Sequence, residues 1–255
     1  ALYGARAADG VILIETKTGK NSEGWGIEVN NTTTFSSILK MPDYQNDFGF
    51  GGGGKYSYLD GSNYIGAFEY YEAYGENWGP RLDAGNNIKQ FNSNGEAVPY
   101  TSSPNNIRDF FRTGTSLINN VSISNSGEDS DFRMSYTRLD KESIVPNSNL
   151  KRNTFQTSVG KSLFDDKLEV RLNGMYVNSG SDNIPNSGYD ESSSIQYGWL
   201  WYPRQVHTDE LRDYWEPGLE GIQQRYVENL WVNNPWLVVN ENTNAFQSNR
   251  LIGNI

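Results

Sequence analysis

The residues able to support covalent or metal chemistry are few. The chain of 255 residues has no cysteine and one histidine, His207, so disulfides, thiol catalysis and thiolate metal sites are excluded. A Ser/His/Asp relay, an imidazole metal site or a histidine proton shuttle would rest on His207 alone, in a Trp-rich stretch where a packed, structural histidine is expected. Gly49, Gly51 and Gly54 spell GxGxxG and Asp47-Phe48-Gly49 spells a kinase metal motif, yet no βαβ unit, P-loop lysine or catalytic loop accompanies them, and the stretch reads as a flexible loop. Glu128, Asp129 and Asp131 lack the spacing of an EF-hand and read as a solvated turn. Asp165 and Asp166 also sit in a turn, without a partner for acid/base work. The sequence therefore predicts no catalytic residue, no metal, no cofactor and no enzyme.

Binding chemistry is better represented. The flat rings of Tyr44, Trp78, Trp199 and Trp201 can stack on the apolar faces of sugars or peptides, and polar neighbours such as Asp83 can satisfy hydroxyl or amide groups. Arg81 and Arg204 can orient a carboxylate through charge-assisted hydrogen bonds. In loops as long as these, the same aromatics also serve as small local cores or as an interface with another protein.

Composition limits what can position these groups. Only 36% of residues are hydrophobic, 13% are aromatic and the mean hydropathy is -0.69, which disfavours both a helical membrane protein and a disordered chain. No run approaches the roughly 18 to 20 apolar residues of a spanning helix, so any membrane role must use strands. A net charge of -10 and a pI near 4.7 argue against nucleic acid as a partner.

From Gly24 onward the pattern alternates, as a strand between two environments does. Phe132 to Leu139 divides into an apolar set, Phe, Met, Tyr and Leu, and a polar set led by Arg133 and Arg138. Leu168, Val170, Leu172 and Tyr176 alternate with Glu169, Arg171 and Asn173; Phe155 to Gly160 behaves likewise, and weaker versions cover Ile27 to Phe35 and Leu117 to Ser124. Short polar turns at Asn125–Ser130 and Leu163–Lys167 contrast with long connections at about 36–116 and 179–244. Short turns at one end and long loops at the other suit an outer-membrane barrel. Arg250 to Ile255 reads as the start of a sixth strand. About six strands cannot close a membrane barrel, which needs at least about eight, so the chain is expected to be part of a longer protein; it shows no signal peptide and starts as an internal segment would.

The first twenty residues sharpen this. Tyr3-Gly4-Ala5-Arg6-Ala7-Ala8-Asp9-Gly10-Val11-Ile12-Leu13-Ile14, with Thr16-Lys17 and Gly19, resembles the segment YGSRGANGVILITTKKG that closes the plug of SusC/RagA-type TonB-dependent transporters. Met41 to Gly49 and Glu76 to Asp83 resemble that family's PxYQNxYGxG and SWGPxLDG segments. Tyr202 to Val206, Leu211 to Tyr214, Asn234-Pro235-Trp236 and Arg250 to Asn254 follow in family order. The resemblance implies residues 1–20 as the C-terminal end of an α+β plug and 21–255 as the N-terminal part of a transmembrane antiparallel β-barrel of about twenty-two strands. It also implies energy-coupled import of oligosaccharides or peptides across a Bacteroidetes outer membrane, with TonB and a SusD-like surface lipoprotein as partners and bilayer lipid around the barrel. Tyr44, Trp78, Arg81, Asp83, Trp199, Trp201 and Arg204 become candidates for contact with substrate or lid, and Arg133, Arg138, Glu169 and Arg171 for lining the lumen or meeting the plug. A soluble carbohydrate-binding β-sandwich and a passive porin are the alternatives.

Overall fold

The computed structural model describes residues 12, 17–20, 24–60, 63–66, 77–90, 93, 96–186, 188, 194–225 and 232–255. Apart from Ile12 and the stretch 17–20, the predicted plug end lies outside the described residues. The strands are β1 (Gly24–Ser36), β2 (Ser57–Asp60), β3 (Asn63–Gly66), β4 (Asn87–Lys89), β5 (Ala97–Pro99), β6 (Gly114–Ser126), β7 (Ser130–Glu142), β8 (Asn149–Leu163), β9 (Leu168–Ser181) and β10 (Phe246–Asn254). Short helices α1 (Asn106–Phe110), α2 (Ile195–Trp201) and α3 (Pro235–Asn240) belong to the long connections. No helix among the described residues is long and apolar enough to cross a membrane.

Six strands form one antiparallel sheet in the order β1-β6-β7-β8-β9-β10, an up-and-down meander. β1 and β6 to β9 each have 13 to 15 residues, beyond the roughly 9 to 11 that a tilted strand needs to cross a bilayer. β1 and β10 are both edges, so the fold is an open section of antiparallel barrel wall.

The register gives the wall two unlike faces. Ile27, Ile123, Met134, Thr157 and Gly174 face one way, as do Val29, Val121, Tyr136, Phe155, Tyr176 and Leu251 one step along. The opposite face carries Glu28, Ser122, Ser124, Asp131, Arg133, Ser135, Ser158 and Arg171. The usual order of burial is inverted here. Ile27, Val29 and Leu251 are 73–80% exposed, whereas the buried side chains within the six strands are polar: Ser122, Ser124, Asp131, Ser158 and Ser181. A soluble sandwich would lay a second sheet over the apolar face; the other sheets described are two-stranded pairs, β2 with β3 and β4 with β5, and leave that face open.

One expectation needs correction. Grouping by charge sets Arg138 beside Arg133, but a strand repeats every two residues, so 132, 134, 136 and 138 share a face. Arg138 therefore lies with Phe132, Met134 and Tyr136, and Leu139 lies on the polar side. There Arg138 completes a row of aligned residues across all six strands, Asn31, Asn119, Arg138, Asn153, Asn178 and Asn249. Asn31 donates to Asn119 (2.6 Å), Arg138 to Asn153 (3.0 Å), and Asn178 to Asn249 (2.9 Å), while Asp140 accepts both Nε and Nη2 of Arg138. The row thus satisfies itself side to side, beside the rings of Tyr136, Phe155 and Tyr176.

Strand ends run slightly past the expected limits, since Ser36 still pairs with Gly114, and β6 begins three residues before Leu117. The turn after β6 shrinks to residues 127–129, closed by the Gly127 amide on the Ser130 carbonyl (2.8 Å). In the turn after β8, Phe164, Asp165 and Asp166 all take positive φ (53 to 62°), a conformation that asparagine and aspartate tolerate better than phenylalanine.

The hydrophobic core lies in the loops. Every buried hydrophobic side chain among the described residues belongs to the connections after β1 or after β9. Phe110 of α1 meets Phe111, Trp199 and Trp236 edge-on at 5.3, 5.2 and 5.0 Å, so the two connections share one core.

Candidate functional site

Two constellations stand out, one on the polar face of the wall and one in the joined loops. On the polar face, at the end with the short turns, residues 17–20 rest against the strands. Lys17 Nζ is 3.3 Å from Glu28 Oε1, and Arg133 Nη2 is 3.4 Å from the other oxygen of that carboxylate. Lys20 Nζ is 2.7 Å from Glu169, which also lies 3.3 Å from Arg171. Arg171 in turn holds Asp131 through two hydrogen bonds (2.6 and 3.0 Å), and the Gly19 amide donates to the same carboxylate (3.0 Å). The Asp131 side chain is only 6% exposed. Its alternation with Phe132 buries it: Asp131 belongs to β7, not to the solvated turn that Glu128 and Asp129 suggested. Gly19 sits so close to β7 that a Cβ there would lie 2.3 Å from the Phe132 carbonyl oxygen.

In the first long connection, the stretch 44–52 pairs with 77–82. Gly79 donates to the Gly49 carbonyl (2.9 Å), Trp78 to Gly51 (3.0 Å) and Leu82 to Asp47 (2.8 Å). A Cβ at Gly49 would fall 2.1 Å from Tyr100 Oη, and one at Gly79 2.1 Å from the Phe50 carbonyl oxygen. These glycines, expected in a flexible loop, instead let two backbones pass around the fully buried Phe50. The Gln45 amide pins the turn, accepting the Asp47 and Phe48 amides (both 2.9 Å) and donating to the Phe48 carbonyl (2.8 Å).

The second connection locks onto the first through Arg204, itself 3% exposed. Its guanidinium donates to Asn46 Oδ1 (2.7 and 3.2 Å), Asn106 Oδ1 (2.6 Å) and the Pro104 carbonyl (3.0 Å), and its carbon lies 5.1 Å from the Tyr44 ring centre. Burial lowers the Arg204 pKa and raises that of Tyr44. Gln205 accepts the Phe50 amide (3.1 Å). His207 is not packed inside; it is an exposed cap of a 3-10 turn, its amide donating to Glu210 (3.1 Å) and its Nδ1 lying 3.2 Å from Ser103 Oγ. Asn234 caps α3 by accepting the Trp236 amide (2.8 Å), with Pro235 at the first helical position. Asn234→Ala should cost about 1 kcal/mol of loop stability, read as a lower denaturant midpoint for Trp fluorescence.

The structure therefore brings Tyr44, Trp199 and Arg204 together at one place and leaves the other candidates elsewhere. Tyr44 and Trp199 line a cavity of about 620 Å³ with Met41, Pro42, Ile107 and Ile195. Trp199 is buried, as is Arg204, so neither offers a free face to solvent. Trp78 is 61% exposed and tilts against Phe48 at 6.2 Å. Arg81 is exposed, 3.9 Å from Asp47. Asp83 adopts positive φ and accepts both the amide and the hydroxyl of Ser102. Trp201 is half-exposed. On the wall, Arg133, Glu169 and Arg171 converge on residues 17–20, and Arg138 does not.

The chain is similar to a TonB-dependent receptor. Over an alignment of 267 residues that takes in the whole chain, it is 25% identical to the TonB-dependent receptor SusC of Bacteroides thetaiotaomicron. The chain spans 23% of that relative's length. No protein-family model matches it.

Sequence reasoning missed the residues that fasten the constellations, namely Asp131 and Gly19 on the wall and Asn46 and Asn106 around Arg204. Asp131 carried a usable signal, since it continues the alternation of β7 by one step. The asparagines carried none, because a side-chain amide in a loop looks the same whether it faces solvent or an arginine 98 or 158 residues away.

Proposed function

We propose that the chain is the plug exit and first wall of a gated outer-membrane importer that uses TonB to admit oligosaccharides or peptides, working with a SusD-like surface lipoprotein. Residues 1–20 end the plug and 21–255 begin the barrel. The observation that carries this reading is the seating of 17–20 on the polar face of an inverted sheet. A plug must sit in the lumen, and the face it touches is the polar one, which leaves the exposed apolar face to lipid. The chain-long similarity to a TonB-dependent receptor supports the same reading. Arg133, Glu169 and Arg171 then face the lumen, and the long connections lie outside the cell, with Trp78, Arg81, Asp83 and Trp201 available to substrate or lid and Tyr44, Trp199 and Arg204 shaping the loops beneath.

The row that includes Arg138 fits this arrangement. Barrel strands tilt by about 45°, so a row perpendicular to the strands climbs through the membrane. At β1 and β6, Phe35 and Leu117 still lie beyond it; at β8 and β10, Lys151 and Gln247 do. The row leaves the apolar zone as it crosses the wall.

Uptake by the intact protein decides the matter. Labelled oligosaccharides and peptides should enter cells carrying it only while the proton gradient stands; uptake that persists after the gradient is collapsed would identify a passive porin. The face assignment has its own check. Met134→Arg, on the lipid side, should cost about 2–4 kcal/mol of barrel stability, whereas Ser135→Arg, on the polar side, should leave the unfolding midpoint in detergent nearly unchanged.

A further inference from the structure

We infer that Asp131 and Arg171 form a fixed anchor that holds Lys17–Lys20 to the barrel wall throughout transport, so that force applied to the plug ends there and does not run on into β1. The inference rests on the plug reading of residues 1–20.

Three features separate this contact from an ordinary surface ion pair. First, it is buried and geometrically specific: Asp131, 6% exposed, is gripped at both oxygens by Arg171 and takes a main-chain amide as well. Two charge-assisted bonds from a planar guanidinium fix both position and orientation, unlike a single lysine contact. Second, the Gly19 backbone approaches β7 so closely that any side chain there would strike the Phe132 carbonyl. The close approach therefore requires glycine at this position. Third, ion pairs flank the anchor on both sides: Lys20–Glu169–Arg171 toward β9, which shares Arg171 with it, and Lys17–Glu28–Arg133 toward β1, which ties the other end of the same segment to the wall. Contacts distributed over β1, β7 and β9 must break together for the segment to leave. A gate that moved here would need weaker, separable contacts. Asp131 and Arg171 are positioning residues: they touch the plug exit and not the cargo.

The experiment uses the intact transporter. The 255 residues contain no cysteine, so, with any cysteine elsewhere in the transporter replaced by serine, Lys20→Cys with Glu169→Cys can be joined by a short reducible bifunctional reagent. A fixed anchor leaves gradient-dependent uptake within about twofold of the unjoined pair, because a link across parts that never separate blocks no motion. Loss of uptake on joining, restored by reduction, would overturn the anchor while leaving the transport reading intact. Absence of gradient-dependent uptake in the unmodified protein would instead overturn the transport reading.

Trypsin supplies a readout independent of transport, since Lys17 and Lys20 are cleavage sites. Asp131→Ala should speed cleavage there by about tenfold or more, because proteolysis follows local opening. Asp131→Asn, which keeps an acceptor for the Gly19 amide, should fall between. Equal cleavage of Asp131→Ala and the unmodified protein would also overturn the anchor.

Discussion

Phe110→Ala should melt the loop unit while leaving the barrel wall paired. Phe110 is 1% exposed and is met edge-on by one ring from its own connection and two from the other. Removing it deletes the centre of the shared core, and a phenylalanine-to-alanine cavity of this kind costs about 3–5 kcal/mol. The wall does not share that loss, because its long strands are held by main-chain ladders and bury no hydrophobic side chain of their own. Proteolysis should therefore open the long connections in Phe110→Ala at denaturant concentrations where the strands stay protected. Simultaneous loss of loops and wall would mean that the two are one cooperative unit, contrary to the separation of their cores.

That separation explains what could be read in the sequence. The six strands and the parity of their turns follow from a period of two and from composition at Gly127 and Asp165, both local properties. The loop core has no such period. Ile107 and Phe110 meet Trp199, Tyr202 and Trp236 only after long stretches of chain have folded back, Phe110 reaching across to Trp199 and, further along the chain, to Trp236, and nothing near any of them says which will be inside. Trp199 and Arg204 thus looked like binding groups by type, and the structure buries both. Trp78, of the same type, stays exposed. The placement of Arg138 was a different matter. Its parity was legible in the sequence, and grouping it by charge rather than by position put it on the wrong face.

Arg204 tests how the loops are joined. Its guanidinium is buried against neutral oxygens, and no carboxylate among the described residues forms a salt bridge with it, so desolvation lowers its pKa. What offsets that penalty is the number and spread of its hydrogen bonds, which reach Asn46 and Pro104 on one side and Asn106 on the other. Arg204→Lys keeps the buried charge, yet a single ammonium cannot span Asn46 and Asn106 in the same plane. Arg204→Met removes the charge and its desolvation cost but leaves those two amide oxygens without their donor, each worth about 1–3 kcal/mol when buried. Both variants should therefore lower loop stability by about 3 kcal/mol, with lysine at least as damaging as methionine. Adding Asn106→Ala should cost much less in Arg204→Met than in the unmodified protein, since the oxygen it deletes is already unpaired. Denaturant midpoints of Trp fluorescence in the four proteins give the coupling directly, and additive losses, or a lysine variant close to the parent, would place the join between the loops in their apolar core instead of at Arg204.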